Sequence, residues 1–326
     1  MTPLVSVLIP CHNAAAWLRA TLESVLAQTW PHREIIVVDD GSTDNSAAIA
    51  RSYADRGVTV IAQPNRGQSA AFNTALRAAR GDFYEFLDAD DLLAPDKLEH
   101  QVRRLQQDGA DCVASGAWTR FVQELDTAVF KPEPVWRDLA PADWLVSSWM
   151  GGGMMHGAAW LVPRSVADRA GPWSEDLSLI NDLDFFTRLL LRARRVLFVP
   201  EARTYYRSGL TTNAASQRSP AAMRSGYEAL RRSREALLAA ENSPRTRLAA
   251  ATALQRFIFS TYPDGPEYVA EAERTVAELG GASLHAEGGR AFLFLSKLIG
   301  WKRARRLQRA WQARRASRLA LQIRSR

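Results

Sequence analysis

Cysteine is scarce in this 326-residue sequence, which has only Cys11 and Cys112. Two distant thiols build no disulfide framework, and neither has a histidine or cysteine spaced to share a metal. They read as free thiols of a reducing compartment. Long apolar runs are also missing, with no stretch near the roughly 18 residues that cross a bilayer. The opening Met1-Thr2-Pro3 leads straight into Leu4-Val5-Ser6-Val7-Leu8-Ile9 without a basic leader or a small-residue cleavage site. No signal peptide is expected, and the expected location is the cytoplasm. No Gly-x-Gly-x-x-Gly turn follows the first apolar run, which argues against a dinucleotide oxidoreductase. What remains is an ordinary globular balance, 47% hydrophobic and 24% charged, with ample material for a buried core.

Acidic residues are absent from 291–326, which carry eleven Lys and Arg. The formal net charge is +7, so the rest of the chain stands at −4. Basicity confined to a tail is not a distributed nucleic-acid face, and no nucleic-acid partner is expected. Within the tail, Phe292-Leu293-Phe294-Leu295 and Leu298-Ile299 precede Trp301-Lys302-Arg303-Ala304-Arg305-Arg306. An apolar patch followed by dense positive charge suits peripheral contact of 291–326 with the anionic inner face of a membrane. A solvated basic helix is the competing reading, because Arg303, Arg314 and Arg318 project near Leu307 and Trp311.

The first 116 residues alternate between two periods. Short β-branched runs lie at Val5–Ile9, Glu34–Val38, Val58–Ile61, Phe83–Leu87 and Asp111–Ala114. Helix-patterned segments lie between them at Ala14–Gln28, Asp44–Ala54, Gln68–Ala79 and Pro95–Gln107. Fully apolar strands alternating with helices predict an α/β fold, a mostly parallel sheet sandwiched by helices. Ser42 or Thr43 is placed to cap the second helix, Pro95 to sit in the first turn of the fourth, and Gly81 to end the third. From Ala117 the pattern loosens into scattered tryptophans, and Gly151-Gly152-Gly153 reads as a mobile loop. A strand at Ala158–Val162, a helix at Asp182–Arg192 and a strand at Val196–Val199 follow. After Arg207 the chain turns helical and polar. Three regions are therefore expected: 1–116, 117–207 and a helical C-terminal 208–326 ending in the basic tail.

Ligands of open α/β sheets bind at the carboxyl ends of the strands. Read in order, those ends carry Pro10-Cys11-His12-Asn13, Asp39-Asp40-Gly41-Ser42, Gln63-Pro64-Asn65-Arg66-Gly67 and Asp88-Ala89-Asp90-Asp91. Five carboxylates are thus aimed at one edge. Without a cation some would be driven toward protonation. A divalent oxygen-binding ion, Mn2+ or Mg2+, resolves the repulsion. A phosphatase of the Asp-x-Asp type is rejected, because its nucleophile follows the first strand and here the motif follows the fourth.

These residues also resemble the opening of the family 2 glycosyltransferases. The match comprises Val5-Ser6-Val7-Leu8-Ile9-Pro10, Asn13, Gln28-Thr29 and Val37-Val38-Asp39-Asp40-Gly41-Ser42-Thr43-Asp44. It continues through Asn65-Arg66-Gly67, Ala71, Asn73, Asp88-Ala89-Asp90-Asp91 and Pro95. The resemblance implies a GT-A fold and a nucleotide-sugar donor. It places Asp40, with Asp39 beside it, on a uracil-like base with the Pro10 carbonyl nearby, and Arg66 against the base or diphosphate. Asp90 would hold the metal that bridges the diphosphate, supported by Asp88, which also serves the donor.

The resemblance resumes at Gly171-Pro172-Trp173-Ser174-Glu175-Asp176-Leu177 and Asn181-Asp182-Leu183-Asp184-Phe185-Phe186-Thr187-Arg188-Leu189. The family's catalytic base falls on Asp182, with Asp184 as its nearest rival. Asn181 departs from the commoner Glu. His156, Trp160 and Trp173 are candidates for the acceptor pocket. The resemblance implies an inverting, hexosyltransferase-like enzyme, and because the Gln-x-x-Arg-Trp motif of the family's processive members is absent, single-sugar, non-processive transfer is expected. Its acceptor would be a saccharide, a lipid-linked glycan or a protein, in polysaccharide, glycolipid or glycoprotein synthesis. A non-catalytic sugar-nucleotide binder of the same fold is the alternative.

Overall fold

Apolar residues fill the first strands so completely that those strands can only lie inside a covered sheet. β1 (Val5–Cys11) is buried at every position and β2 (Arg33–Asp40) at every position after its first two. In the computed structural model, the described residues are 2–125, 128–154, 156–209 and 219–324, with side chains to Gln312. They divide into two compact units, Met1–Thr246 and Arg247–Arg326.

In the first unit, α1 (Leu18–Leu26) follows β1, and α2 (Ser46–Arg51) links β2 to β3 (Val58–Gln63). After α3 (Gln68–Ala78) come β4 (Phe83–Phe86), the two-residue β5 (Leu92–Leu93) and α4 (Lys97–Asp108). The second half runs through β6 (Val113–Phe121), α5 (Pro141–Ser147), β7 (Trp160–Pro163), α6 (Arg164–Ala170), α7 (Asn181–Leu190), β8 (Val196–Arg207) and α8 (Pro220–Ala240). A helix that starts in the first unit, α9 (Pro244–Thr261), leads into the second. There it is followed by α10 (Pro266–Glu278), α11 (Arg290–Ile299) and α12 (Trp301–Arg324).

One eight-stranded sheet has the order β3-β2-β1-β4-β7-β6-β8-β5. β1 runs parallel to β2 and β4, β2 to β3, and β6 to β8. β7 is antiparallel to both β4 and β6. Two reversals restore the original direction. The carboxyl ends of β1, β2, β3, β4, β6 and β8 therefore share one edge with the start of β7, and that edge carries the site.

Helix packing follows the sequence periodicity. Leu18, Leu22 and Val25 of α1 are fully buried against the sheet, each contributing about 1.5–3 kcal/mol. α7 buries Phe185, Phe186, Leu189 and Leu190. Between β6 and β8 the register jumps after Gly116. A Cβ there would meet the Ala202 carbonyl oxygen at 2.1 Å, so only glycine fits.

Several local expectations change. The second helix is not held by Ser42 or Thr43. Instead the Asp44 carboxylate accepts both the backbone N–H (2.9 Å) and the hydroxyl (2.5 Å) of Ser46. Pro95 precedes α4 by two residues, and Gly81 lies beyond the end of α3. Ser148–Gly152 of the glycine loop are wound as a wide turn continuing α5. The short β5 and the helices α5 and α6 have no counterpart in the sequence reading, since each is too short for a periodic signal.

Candidate active site

The β1 and β2 ends are locked together through small polar side chains. Asn13, in the left-handed region at φ 52°, accepts the backbone N–H groups of Thr43 (2.8 Å) and Asp44 (3.3 Å) on Oδ1. Asp40 is buried. Its Oδ1 accepts from Gln63 Nε2 (2.7 Å) and the Arg66 N–H (2.9 Å), and its Oδ2 accepts the Gly67 N–H (2.8 Å). Three donors thus occupy a carboxylate that the sequence reading had turned toward a ligand. Asp39, one residue earlier on the same strand, accepts the Ser42 N–H at 3.3 Å and no other donor among the described residues. Gly41 permits the close approach, because a Cβ there would lie 2.7 Å from the Asn65 nitrogen. Pro10 stands beside Val38 in register, at the same edge.

Beyond β4 the carboxylates are in a different condition. Ligand atoms of Asp88, Asp90 and Asp91 lie within 4.8 Å of one another. Burial and the charges of Asp91 and Asp90 push the Asp88 carboxyl up to about 8. Burial and the Asp91 charge raise Asp90 to about 6, and burial raises Asp91 to about 7. Donors are few here. Asp88 Oδ1 accepts from Gln68 Nε2 (2.7 Å), and Asp91 Oδ1 accepts the Arg207 N–H (2.8 Å). His156 Nε2 stands 3.1 Å from Asp91 Oδ2. Burial pushes that imidazole down to about 4, against the opposing charges of Asp88, Asp182 and Asp90, so it is neutral at pH 7.

Asp182 is the second residue of α7, whose first residue, Asn181, follows Ile180, a β-branched residue held at φ 47°. Left-handed strain at such a residue persists only where its surroundings over-determine it. Asn181 supplies part of that restraint by donating to Ser69 Oγ (2.9 Å) and Gln68 Oε1 (3.2 Å). Among the described residues, the one donor to Asp182 Oδ1 from another residue is the Leu183 N–H, at 2.9 Å. Burial raises its carboxyl above the usual range, and its charge is felt at Asp88 and His156. Asp184, two residues on, is committed elsewhere. It is buried, accepts from Ser174 Oγ (2.8 Å) and pairs with Arg188 (2.9 Å).

Two of the aromatic candidates belong to the core. Trp173 is sandwiched between Phe72 (4.5 Å, 18°) and Phe185 (4.1 Å, 13°), so both ring faces are covered. Trp160 is 1% exposed, with Phe186 stacked on it and Trp144 edge-on. Neither offers a ring face to a sugar. Arg66 reaches across to Glu175 at 2.6 Å and remains half exposed.

Sequence reasoning missed Arg207, Trp118 and Tyr206. Arg207 stacks on Trp17 and Phe121 (4.3 Å each) and donates through Nε to the Asp90 carbonyl (2.9 Å), holding the acidic turn in place. Its only signal in the sequence was its place at the end of the 117–207 region. Trp118 and Tyr206 face His156, Trp118 stacked at 5.7 Å and Tyr206 edge-on at 4.7 Å.

Comparison with known proteins agrees with this architecture. Residues 6–166 match the family described as Glycosyl transferase family 2. An uncharacterized glycosyltransferase of Rickettsia typhi is 32% identical over 66% of this chain and 67% of its own length. The uncharacterized glycosyltransferase YibD of Escherichia coli is 35% identical over 58% of this chain and 53% of its own. Among solved structures, S. aureus TarS 1-349 in complex with UDP-GlcNAc superposes with a TM-score of 0.69 at 19% identity. That match covers 95% of this chain and 91% of the other. An eight-stranded mixed sheet between helices, a carboxylate-lined edge and these relatives converge: the chain is a glycosyltransferase of family 2 with the GT-A fold.

Proposed function

We propose that the protein is an inverting, non-processive glycosyltransferase that moves one sugar from a UDP-linked donor to an acceptor hydroxyl. The observation that carries this reading is the gathering of desolvated, under-partnered carboxylates, Asp88, Asp90, Asp91 and Asp182, at one edge of the sheet. UDP and UDP-GlcNAc are bound by TarS, the fold neighbour, which supports a uridine nucleotide as donor.

Asp39 is the better placed of the two adjacent acids to meet the base edge, since Asp40 is occupied in shaping the Arg66-Gly67 turn. The Pro10 carbonyl stands beside it, and Arg66 is the cation within reach of the donor. Oxygen-only donors of raised pKa fit Mn2+ or Mg2+, which Asp88 and Asp90 would hold with Asp91 behind them. When bound, such an ion offsets the charge growing on the departing diphosphate. Asp182 takes the acceptor hydroxyl proton. The hydroxyl oxygen then bonds to the anomeric carbon while the bond to the diphosphate oxygen breaks on the opposite face. A carboxyl raised by burial is a stronger base once ionised, which suits Asp182 to this step. His156, neutral and buried, shapes the acceptor side.

A screen of UDP-sugars with Mn2+ or Mg2+, following UDP release, tests the proposal. Metal-dependent release stimulated by acceptor supports it. Tight UDP binding without release for any donor would instead indicate the non-catalytic sugar-nucleotide binder.

The second unit is proposed to rest on the anionic cytoplasmic face of a membrane. No described helix is long and apolar enough to cross one. α11 exposes Leu293, Phe294 and Leu298 around Lys297, and α12 exposes Leu307 beside Arg303 and Arg306. Near an anionic leaflet each cation contributes about 1 kcal/mol. Sedimentation with phosphatidylglycerol vesicles should exceed that with phosphatidylcholine, and Phe294→Ser with Leu298→Ser should abolish the excess. Equal sedimentation in all cases removes the idea.

A further inference from the structure

At the acceptor end of the sheet edge stands a cation that the transfer chemistry does not use. Trp118 and Arg120 are two residues apart on β6, so their side chains leave the same face. Arg120 pairs in register with Tyr206 of β8. The Arg120 guanidinium lies over both rings, 5.6 Å from the Trp118 centroid and 5.0 Å from that of Tyr206. Those rings in turn contact His156, which touches Asp91. One aromatic layer therefore separates Arg120 from the acidic cluster.

The other arginines around the cleft are neutralised. Arg66 pairs with Glu175, Arg188 with Asp184, and Arg207 is buried against Asp90 and Asp91. Arg120 is exposed, and its polar contact is the Met154 sulfur at 3.7 Å, a weak acceptor. No carboxylate among the described residues lies within ion-pairing distance of it. Its position also separates it from the donor. Asp39 and Asp40 end β2, the acidic cluster follows β4, and Arg120 lies past β7 on the far side. An anion approaching Asp182 would be repelled by four carboxylates, and Arg120 is the one free cation among the described residues there to offset them. Aromatic backing keeps the guanidinium fork pre-oriented, and that fork matches phosphate and carboxylate oxygens in pairs.

We propose that Arg120, backed by Trp118 and Tyr206, is an acceptor subsite for an anionic group, so that the molecule glycosylated carries a phosphate or a carboxylate near its reactive hydroxyl. This rests on the transferase reading of the cleft and names the substrate class for it.

The test uses the full chain with Mn2+ and UDP present. Binding of sn-glycerol 3-phosphate and of glucuronate is measured by calorimetry, with glycerol and glucose as neutral counterparts. Saturable binding of at least one anion and of neither neutral partner is expected, and the stronger anion tells phosphate from carboxylate. Arg120→Gln should weaken that binding about tenfold or more. Arg120→Lys should retain part of it, and the UDP dissociation constant should stay within about twofold in both. Absence of anion binding in the unaltered protein, or equal binding in Arg120→Gln, overturns the subsite. Loss of UDP affinity in Arg120→Gln would overturn it too, by assigning the guanidinium to the donor diphosphate. UDP-sugar turnover is read in a separate assay, so failure of the transferase reading is seen independently of anion binding.

Discussion

The acidic residues on the two sides of the sheet edge do opposite things. On the β1–β2 side, Asp40 and Asp44 are saturated by backbone and side-chain donors and serve to shape loops. On the β4–α7 side, Asp91 is buried and Asp88, Asp90 and Asp182 are half-buried, all with few donors and all shifted toward protonation. A carboxylate whose lone pairs are filled is architecture. One that has been desolvated and left short of donors holds free energy that a cation or a substrate proton can release. The contrast recurs within α7, where Asp184 is tied to Arg188 and Ser174 while Asp182, two residues earlier, is tied among the described residues to nothing beyond its own backbone turn.

The largest effect should come from that pair. Asp182→Asn keeps the shape and the oxygen that accepts the Leu183 N–H but removes the proton acceptor. Single-turnover transfer should fall roughly 10²–10⁴-fold with little change in donor affinity. Asp184→Asn should do the reverse, lowering thermal stability by about 1–3 kcal/mol while transfer per folded molecule is nearly kept. Exchanged phenotypes would make Asp184 the base and collapse the distinction between the two.

A second pair separates architecture from chemistry across the edge. Asp40→Ala strands the Arg66 and Gly67 N–H groups and should cost about 1–3 kcal/mol of stability, read as a lower melting temperature, together with donor affinity. Asp90→Asn should leave melting unchanged or higher without metal, because one repulsive charge is gone. It should also abolish transfer and weaken Mn2+-dependent UDP binding by about 1–3 kcal/mol, measured by calorimetry. A large stability loss in Asp90→Asn would show that the acidic turn is structural after all.

How far the sequence reveals this depends on chain distance. The donor side is built from consecutive strand-turn-helix units, so β1 to β4 and the acids at their ends could be placed from hydrophobic period and turn residues alone. The orientation of those acids could not. Asp39 and Asp40 read alike as letters, and which one is filled depends on a turn more than twenty residues later. On the acceptor side the partners are more than eighty residues apart, as with Arg207 and Asp91 or Asn73 and Trp173. No local period marks them. Tryptophan there was ambiguous for the same reason: Trp173 carries core packing and Trp118 faces the cleft, a difference set by the rings that stack on each.

The smallest expected effect is also the sharpest on sign. Asp90, Asp91 and Asp88 are raised by burial to about 6, 7 and 8, against about 3.9 for an unfolded aspartate. The folded chain therefore holds protons that the unfolded chain has released. Without metal, stability from these groups is present at low pH and is lost as pH rises from about 4 through 8. A divalent cation requires the deprotonated forms, so its affinity must move the other way, gaining up to about tenfold per pH unit for each proton displaced between pH 6 and 8. Melting curves from pH 5 to 8.5 should thus fall with chelator and stay nearly level with saturating Mn2+, where these carboxylates are deprotonated in both the metal-loaded and the unfolded chain. In Asp90→Asn the metal-dependent gain should shrink. Asp40→Ala, which removes the acceptor of the Arg66 and Gly67 N–H groups, should shift both curves down without altering their divergence. Parallel curves in the unaltered protein would mean that the cluster holds no cation and that the two sides of the edge differ less than their geometry indicates.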